Sequence, residues 1–328
     1  MPGHFPLTRG QSGEAVRDLK RRLGTAGFPP QGSDAGGYCD ATEAAVRDFQ
    51  SARGLNVTGS CDEQTWLALI EAGWQLGDRL LLLAAPMLRG DDVGDLQRSL
   101  NHVGFDCGRP DGIFGPAAGR AVVDFQRNSG LTPDGVCGPS TVSTLRLVSR
   151  QSGSGPGVAS IREAESGRAS TSIVGLRVVV GQFGGLSSIA RTLSRSLRIR
   201  GATVMSTDEY EAPAQAAAAN RFGAAAYVGF DARPDACSVV SYFAVPSFES
   251  VGGRSLGKRI VDEIAPHLDG PVSLDGMRLP VLRETRMPAV LCSVGPVRGV
   301  VDRSDRISAA VTRAVCAWSE RPVSADTA

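Results

Sequence analysis

The chain has 328 residues, enough for two or three domains. Its 42% hydrophobic and 21% charged content excludes wholesale disorder. Lys and Arg number 35 against 34 Asp and Glu, so the net charge of +1 excludes the broad positive field on which a nucleic-acid binder relies. Met1 to Arg9 shows no basic segment followed by an apolar stretch, so no secretory signal is read. The expected location is the cytoplasm, with any membrane contact peripheral and at the inner face.

The first half repeats itself at an offset of about 76 residues. In the first copy Val16, Leu19 and Leu23 share one helical face. In the second, Val93, Leu96, Leu100 and Val103 do the same. Gly27 and Gly104 are expected to end these helices. A second helix carries Val46 with Phe49, or Val122 with Phe125, three apart on one face. A third starts after Asp62, or at Pro139-Ser140, and is expected to bury Trp66 and Ile70, or Leu145 and Val148. The intervals are 5–76 and 80–150. Between them Leu80–Leu83 with Ala84 and Ala85 is the longest apolar run. It is far short of the roughly 20 residues of a membrane helix, and it reads as a buried segment between domains.

These motifs resemble the peptidoglycan-binding domain of bacterial cell-wall proteins. The second copy carries Arg89-Gly90, Asp111-Gly112-Ile113-Phe114-Gly115, Phe125-Gln126 and Gly130 to Thr141. The first is more worn, with Arg9-Gly10 matched to Arg89-Gly90 and Gly37-Tyr38-Cys39-Asp40 in place of the DG-x-FG turn. The resemblance implies that Asp111, Gly112, Phe114, Gln126, Asp134 and Gly135 bind peptidoglycan, or a muropeptide or lipid-linked precursor. Read from residue type alone, the glycines and aspartates shape turns and the Phe fills core.

Residues 151–172 are rich in Ser, Gly and charge and read as a flexible linker. Beyond it, 173–320 alternates strands and helices: Leu176–Val180, a stripe of Leu186, Ala190, Leu193 and Leu197, Thr203–Met205, Ala216–Arg221, Ala225–Phe230, Val239–Val245, a helix with Leu256, Ile260 and Ile264, Ala289–Val294, and a last helix with Ile307, Val311, Val315 and Trp318. The fold class expected is two all-α three-helix repeats followed by an α/β domain whose mostly parallel or mixed sheet is covered by helices. Residues 321–328 form a tail.

This second half resembles the zinc-dependent N-acetylmuramoyl-L-alanine amidases, through Ala219-Asn220 and Arg286-Met-Pro-Ala-Val-Leu-Cys-Ser-Val-Gly295. That family needs two His and one Glu on zinc, and a further carboxylate to move a proton. The positions corresponding to these residues hold Phe183 or a neighbour, Gln182, Asp231 and Ser293. The chain's three histidines, His4, His102 and His267, lie away from those strand ends. No catalytic residue and no zinc are therefore expected. The alternative is an amidase with a metal site rebuilt around Asp231 and a sulfur such as Cys292. The seven cysteines form no C-x-x-C pair and read as reduced, mostly buried thiols, the alternative being Cys39–Cys61 and Cys107–Cys137 disulfides.

The two halves together resemble the CwlM group of actinobacterial proteins, through Gly90-Asp-Asp-Val93, Asp134 to Thr141 and Arg286-Met-Pro288. The resemblance implies a non-catalytic regulator of cell-wall precursor synthesis, associated with UDP-N-acetylglucosamine 1-carboxyvinyltransferase and controlled by a serine/threonine kinase. For such a kinase the C-terminal tail offers Ser319, Ser324 and Thr327. A wall-binding module without a regulatory role is the plainer reading, and it would require export.

Overall fold

The computed structural model describes residues 5–32, 36–151, 157, 158, 161, 172–245 and 248–322. His4, most of the expected linker, and Ser324 and Thr327 of the tail lie outside the described residues. The chain divides into two compact units, Met1–Ala159 and Ser160–Ala328.

The first unit holds six helices among its described residues: α1 (Glu14–Thr25), α2 (Asp40–Ala52), α3 (Glu63–Ala72), α4 (Asp91–His102), α5 (Pro116–Asn128) and α6 (Pro139–Gln151). The stripe Val16, Leu19 and Leu23 closes on Phe49, Trp66 and Leu69, and Val93, Leu96 and Leu100 close on Phe114, Phe125 and Leu145. Each fully buried Leu or Phe in these cores contributes about 1.5–3 kcal/mol. An edge-on ring pair, Phe28–Phe49 at 5.6 Å and Phe105–Phe125 at 5.5 Å, recurs in both copies. α1 and α4 stop where expected. Gly27 and Gly104 take φ of 89° and 95°, and the next N–H, of Phe28 or Phe105, reaches back to the carbonyl of Leu23 or Leu100. Asp62 caps α3 by accepting from the Thr65 N–H at 2.7 Å.

Two expectations need correction. The residue before α1 that corresponds to Gly90 is Gly13, not Gly10. Gly13 and Gly90 occupy the N-cap positions, and their N–H groups donate to the carbonyls of Gly36 and Gly112. Arg9 instead lies ahead of the helix and pairs with Asp40 at 2.7 Å. The Leu80–Leu83 run is not buried as a segment. Only Leu81 is, because its backbone bridges Cys137, while Leu80, Leu82 and Leu83 are exposed.

The second unit is built on a seven-stranded sheet. Its strands are β1 (Arg177–Gln182), β2 (Thr203–Thr207), β3 (Ala226–Ala232), β4 (Ser238–Val245), β5 (Phe248–Glu249), β6 (Val272–Met277) and β7 (Ala289–Val294). The order is β2-β1-β3-β7-β4-β5, with β6 also paired to β4. β1, β2, β3 and β7 are mutually parallel, and β4 runs against β7, so the sheet is mixed. Its helices are α7 (Ser187–Ile199), α8 (Ala212–Phe222), α9 (Val251–Ile264), α10 (Pro280–Glu284), α11 (Val297–Asp302) and α12 (Ser304–Glu320). Val178, Val180, Val228, Phe230, Val290 and Cys292 face α7, α9 and α12 in one continuous core. Alternation along the strands turns Val179, Tyr227, Leu291 and their neighbours to the opposite face, where Gln215 of α8 meets Tyr227.

Candidate functional site

Two places can be built upward from their residues. The first is the pair of motif loops in the second repeat. Gln97 sits on α4 beside the apolar stripe and is buried. Its Oε1 accepts from the Gly112 N–H at 2.8 Å, and its Nε2 donates to Asp111 Oδ1 at 2.8 Å and to the Ile113 carbonyl at 3.1 Å. Asp111 Oδ1 also takes the Ile113 N–H at 2.8 Å. Gly112 turns at φ 74°, a region where a side chain is strained, and Phe114 then drops into the core with no exposure.

The second loop has the same design. Gln126, buried on α5, accepts from the Gly135 N–H at 2.9 Å and donates to Asp134 Oδ1 at 2.8 Å, the Val136 carbonyl at 3.0 Å and Thr141 Oγ1 at 3.1 Å. Hydrogen bonds from the Val136 N–H and Gln126 hold the Asp134 carboxyl below the usual carboxylate range. The six residues singled out from the sequence thus lie in or directly under two neighbouring loops, fixing the shape those loops present. Gln97 was not singled out. Its signal was a polar residue next to Leu96, one turn before Leu100.

The second place is the carboxyl edge of the sheet. The chain leaves β1 for β2 on one side and returns to β3 on the other. The gap above β1 and β3 is therefore the switch point at which open α/β sheets hold ligands. Gln182 ends β1, Asp231 lies near the end of β3 and Ser293 near the end of β7, and Asp231 and Ser293 are register partners. These two share a face. Gln182 pairs in register with Phe230, so its side chain belongs to the α7 face, and its Oε1 is held by the Gly184 N–H at 2.8 Å. Phe183 continues past β1 with its N–H on the Phe230 carbonyl at 2.9 Å. Burial pushes the Asp231 carboxyl up, opposed by a hydrogen bond from the Ala232 N–H and by the Arg233 charge.

Beneath Asp231 the face is filled by a network that reading the sequence missed. The Tyr227 hydroxyl donates to Gln215 Oε1 at 2.7 Å, and Gln215 Nε2 donates to the Gln182 carbonyl at 3.0 Å and the Glu209 carbonyl at 2.6 Å. The ring lies over Gly181 and Gly229, where an added Cβ would come within 2.4 Å and 2.9 Å of Tyr227. Glycines facing each other on β1 and β3 were the available signal.

Zinc does not fit this edge. One partly buried carboxyl, one hydroxyl and a carboxamide turned to the other face supply no imidazole and no set of three ligands. Among the described residues no group of three or more His, Cys, Asp or Glu is placed to hold a metal ion. Cys292 cannot complete a set with Asp231. It lies on the opposite face, fully buried in the core, with its thiol pushed up to about 12 by burial. His267 precedes β6, three strands from β3 along β3-β7-β4-β6, roughly 14 Å at ordinary strand spacing. The described cysteines are all free thiols. Cys61, Cys107 and Cys137 are buried and likewise pushed up to about 12, whereas Cys237 is exposed.

The family described as "Putative peptidoglycan binding domain" matches residues 12–69 and 89–145. N-acetylmuramoyl-L-alanine amidase CwlM of Mycobacterium tuberculosis is 33% identical over 303 residues, covering 81% of this chain and 73% of that protein. N-acetylmuramoyl-L-alanine amidase CwlL of Bacillus licheniformis is 32% identical over 164 residues, covering 43% of this chain and 45% of its own length. The chain thus spans less than half of that second relative. Among solved structures, the amidase Ami1 of Mycobacterium smegmatis aligns with a TM-score of 0.39 at 13% identity, over 45% of this chain and 99% of that one.

Proposed function

The chain belongs to the family of N-acetylmuramoyl-L-alanine amidase CwlM, and from that premise we propose that it is a pseudo-amidase, a non-catalytic scaffold or regulator of cell-wall synthesis. Its repeats hold peptidoglycan, or a muropeptide or lipid-linked precursor, against the loops shaped by Asp111, Gly112, Phe114, Gln126, Asp134 and Gly135. Its α/β domain is presented to a protein partner, for which UDP-N-acetylglucosamine 1-carboxyvinyltransferase is the candidate. The place of action is the cytoplasm and the inner face of the membrane. Among the described residues no helix is long and apolar enough to cross a membrane.

The observation that carries this reading is the carboxyl edge. Asp231 and Ser293 share one face, Gln182 is turned to the other, and the sheet below Asp231 is occupied by the Tyr227–Gln215 pair. Amide hydrolysis through a metal-bound water needs an open coordination position and a carboxylate poised beside it, and these residues supply neither. Purified full-length protein should carry no stoichiometric zinc and release no peptide from peptidoglycan. One zinc per chain together with turnover would overturn the proposal. Affinity capture at near-physiological salt should recover the carboxyvinyltransferase, and failure to do so would remove that partner while leaving the binding part of the reading.

A further inference from the structure

We infer that the exposed face of α7, with the amino edge of the sheet beside it, docks on an anionic lipid surface. α7 buries Ile189, Leu193 and Leu197 against the core. On its exposed side it carries Arg191, Arg195 and Arg198, at i, i+4 and i+7, and Arg200 follows directly. The helix contains no Asp or Glu.

Three of the four arginines are anchored by hydrogen bonds that leave their charge in place. Arg191 Nε donates to the Ser187 carbonyl at 3.3 Å, Arg198 Nη2 to the Val204 carbonyl on edge strand β2 at 2.9 Å, and Arg200 bonds the Cys316 side chain. None of the four has an ion pair among the described residues. The carboxylates that follow β2, Asp208, Glu209 and Glu211, stand past its far end, toward the carboxyl edge. Glu320, at the end of α12, is close enough to influence the thiol of Cys316, the residue that Arg200 bonds.

At that same end sit the two most exposed large aliphatic side chains among the described residues, Ile199 at 78% and Val174 at 70%. They belong to one neighbourhood. Val174 Cγ2 lies 3.1 Å from where a Cβ on Gly201 would stand, on the turn that ends α7 two residues after Ile199. Arg198 and Arg200 flank Ile199 along the chain. Guanidinium groups without an ion pair among the described residues, set around protruding aliphatic tips, match a phospholipid interface, where phosphates meet the cations and the tips enter the acyl boundary. An acidic protein surface would satisfy the arginines but leaves the aliphatic pair unexplained. The end of this surface that carries Arg198, Ile199, Arg200 and Val174 lies at the opposite end of β1 from the carboxyl edge, so the inference stands apart from what the repeats or that edge bind.

The test is co-sedimentation of the full-length chain with vesicles of phosphatidylcholine alone or mixed with phosphatidylglycerol, free of any cell-wall precursor. The expected result is binding to the mixed vesicles only, weakened by salt. Each arginine at a charged surface is worth about fivefold in partitioning, so Arg195→Gln with Arg198→Gln should lower it roughly twenty-five-fold. Ile199→Ser should lower it about threefold or more by removing inserted apolar surface. Arg298→Gln, which removes one positive charge outside the surface, should change little, and near-UV circular dichroism should show all variants folded. The inference is overturned if the chain ignores phosphatidylglycerol, if it binds phosphatidylcholine equally well, or if the double variant binds as the parent does. Loss of an acidic protein partner in the double variant, without vesicle binding by the parent, would also overturn it.

Discussion

The two repeats share a core but differ in what polar chemistry they bury. Both hold their last loop by a glutamine on the second helix, Gln50 bonding Gly59, Ser60 and Thr65 as Gln126 bonds Gly135, Val136 and Thr141. The first helices part company. Where repeat one has Ala15 and Lys20, repeat two has Asp92 and Gln97. Gln97 fastens the Asp111–Ile113 turn, and Asp92, almost fully buried, takes two hydrogen bonds from Arg79, whose guanidinium also lies over Trp74 at 4.4 Å. In repeat one Tyr38 replaces Phe114 and ties the turn to the second loop through its hydroxyl, 2.6 Å from the Gly59 carbonyl. An aromatic core position with a hydroxyl does there part of what a carboxamide and a carboxylate do in repeat two. Erosion of the motif therefore changed the polar supports and spared the packing.

Four substitutions would break or sharpen this contrast. The largest effect is expected at Asp92→Ala, which leaves Arg79 partly buried beside no carboxylate. It should cost about 3 kcal/mol in urea unfolding of the first unit, whereas Lys20→Ala should cost under about 0.5 kcal/mol. Next, Gln50→Ala strands the buried Gly59 N–H and Gln126→Ala the partly buried Gly135 N–H, and each should cost about 2 kcal/mol. Unequal losses would show that the shared clamp is not equally used.

A further small effect belongs to the other unit and follows from pH. The Asp231 carboxyl is raised in the folded state by burial, so the fold takes up a proton more readily than the unfolded chain. Its contribution to stability is then most favourable below the usual carboxylate range and declines as pH rises through the raised value. Asp231→Asn should therefore be slightly more stable than the parent at neutral pH, by under about 1 kcal/mol, with the gap closing on acidification. A gap that widens in acid would show that Asp231 is held as a carboxylate by a partner.

Much of this was legible because periodicity reports burial. Stripes such as Val93, Leu96 and Leu100 located the helices, and the runs around Val178 and Val290 located the central strands. β6 escaped because it lies beside only β4, buries little, and contains Asp275 and Gly276. α10 escaped because it is one short turn led by Pro280. The leucines at 80–83 misled because hydrophobicity alone cannot say that one bridge to Cys137 holds a single residue inward. At the carboxyl edge the residue types were readable, but their faces were not. That Gln182 turns away from Asp231, and that Tyr227 spreads over two glycines, depends on register between distant strands.

The distribution of thiols gives the protein a built-in attachment point. Cys61, Cys107, Cys137 and Cys292 are shielded and held in the unreactive protonated form, while Cys237 is exposed just before β4 and two residues after Asp235, close to where β7 leaves the sheet. With the half-exposed Cys39 and Cys316 changed to serine, a maleimide dye would settle at Cys237 alone. Its emission would then report a partner arriving at the carboxyl edge of the sheet, with no group introduced into the edge itself.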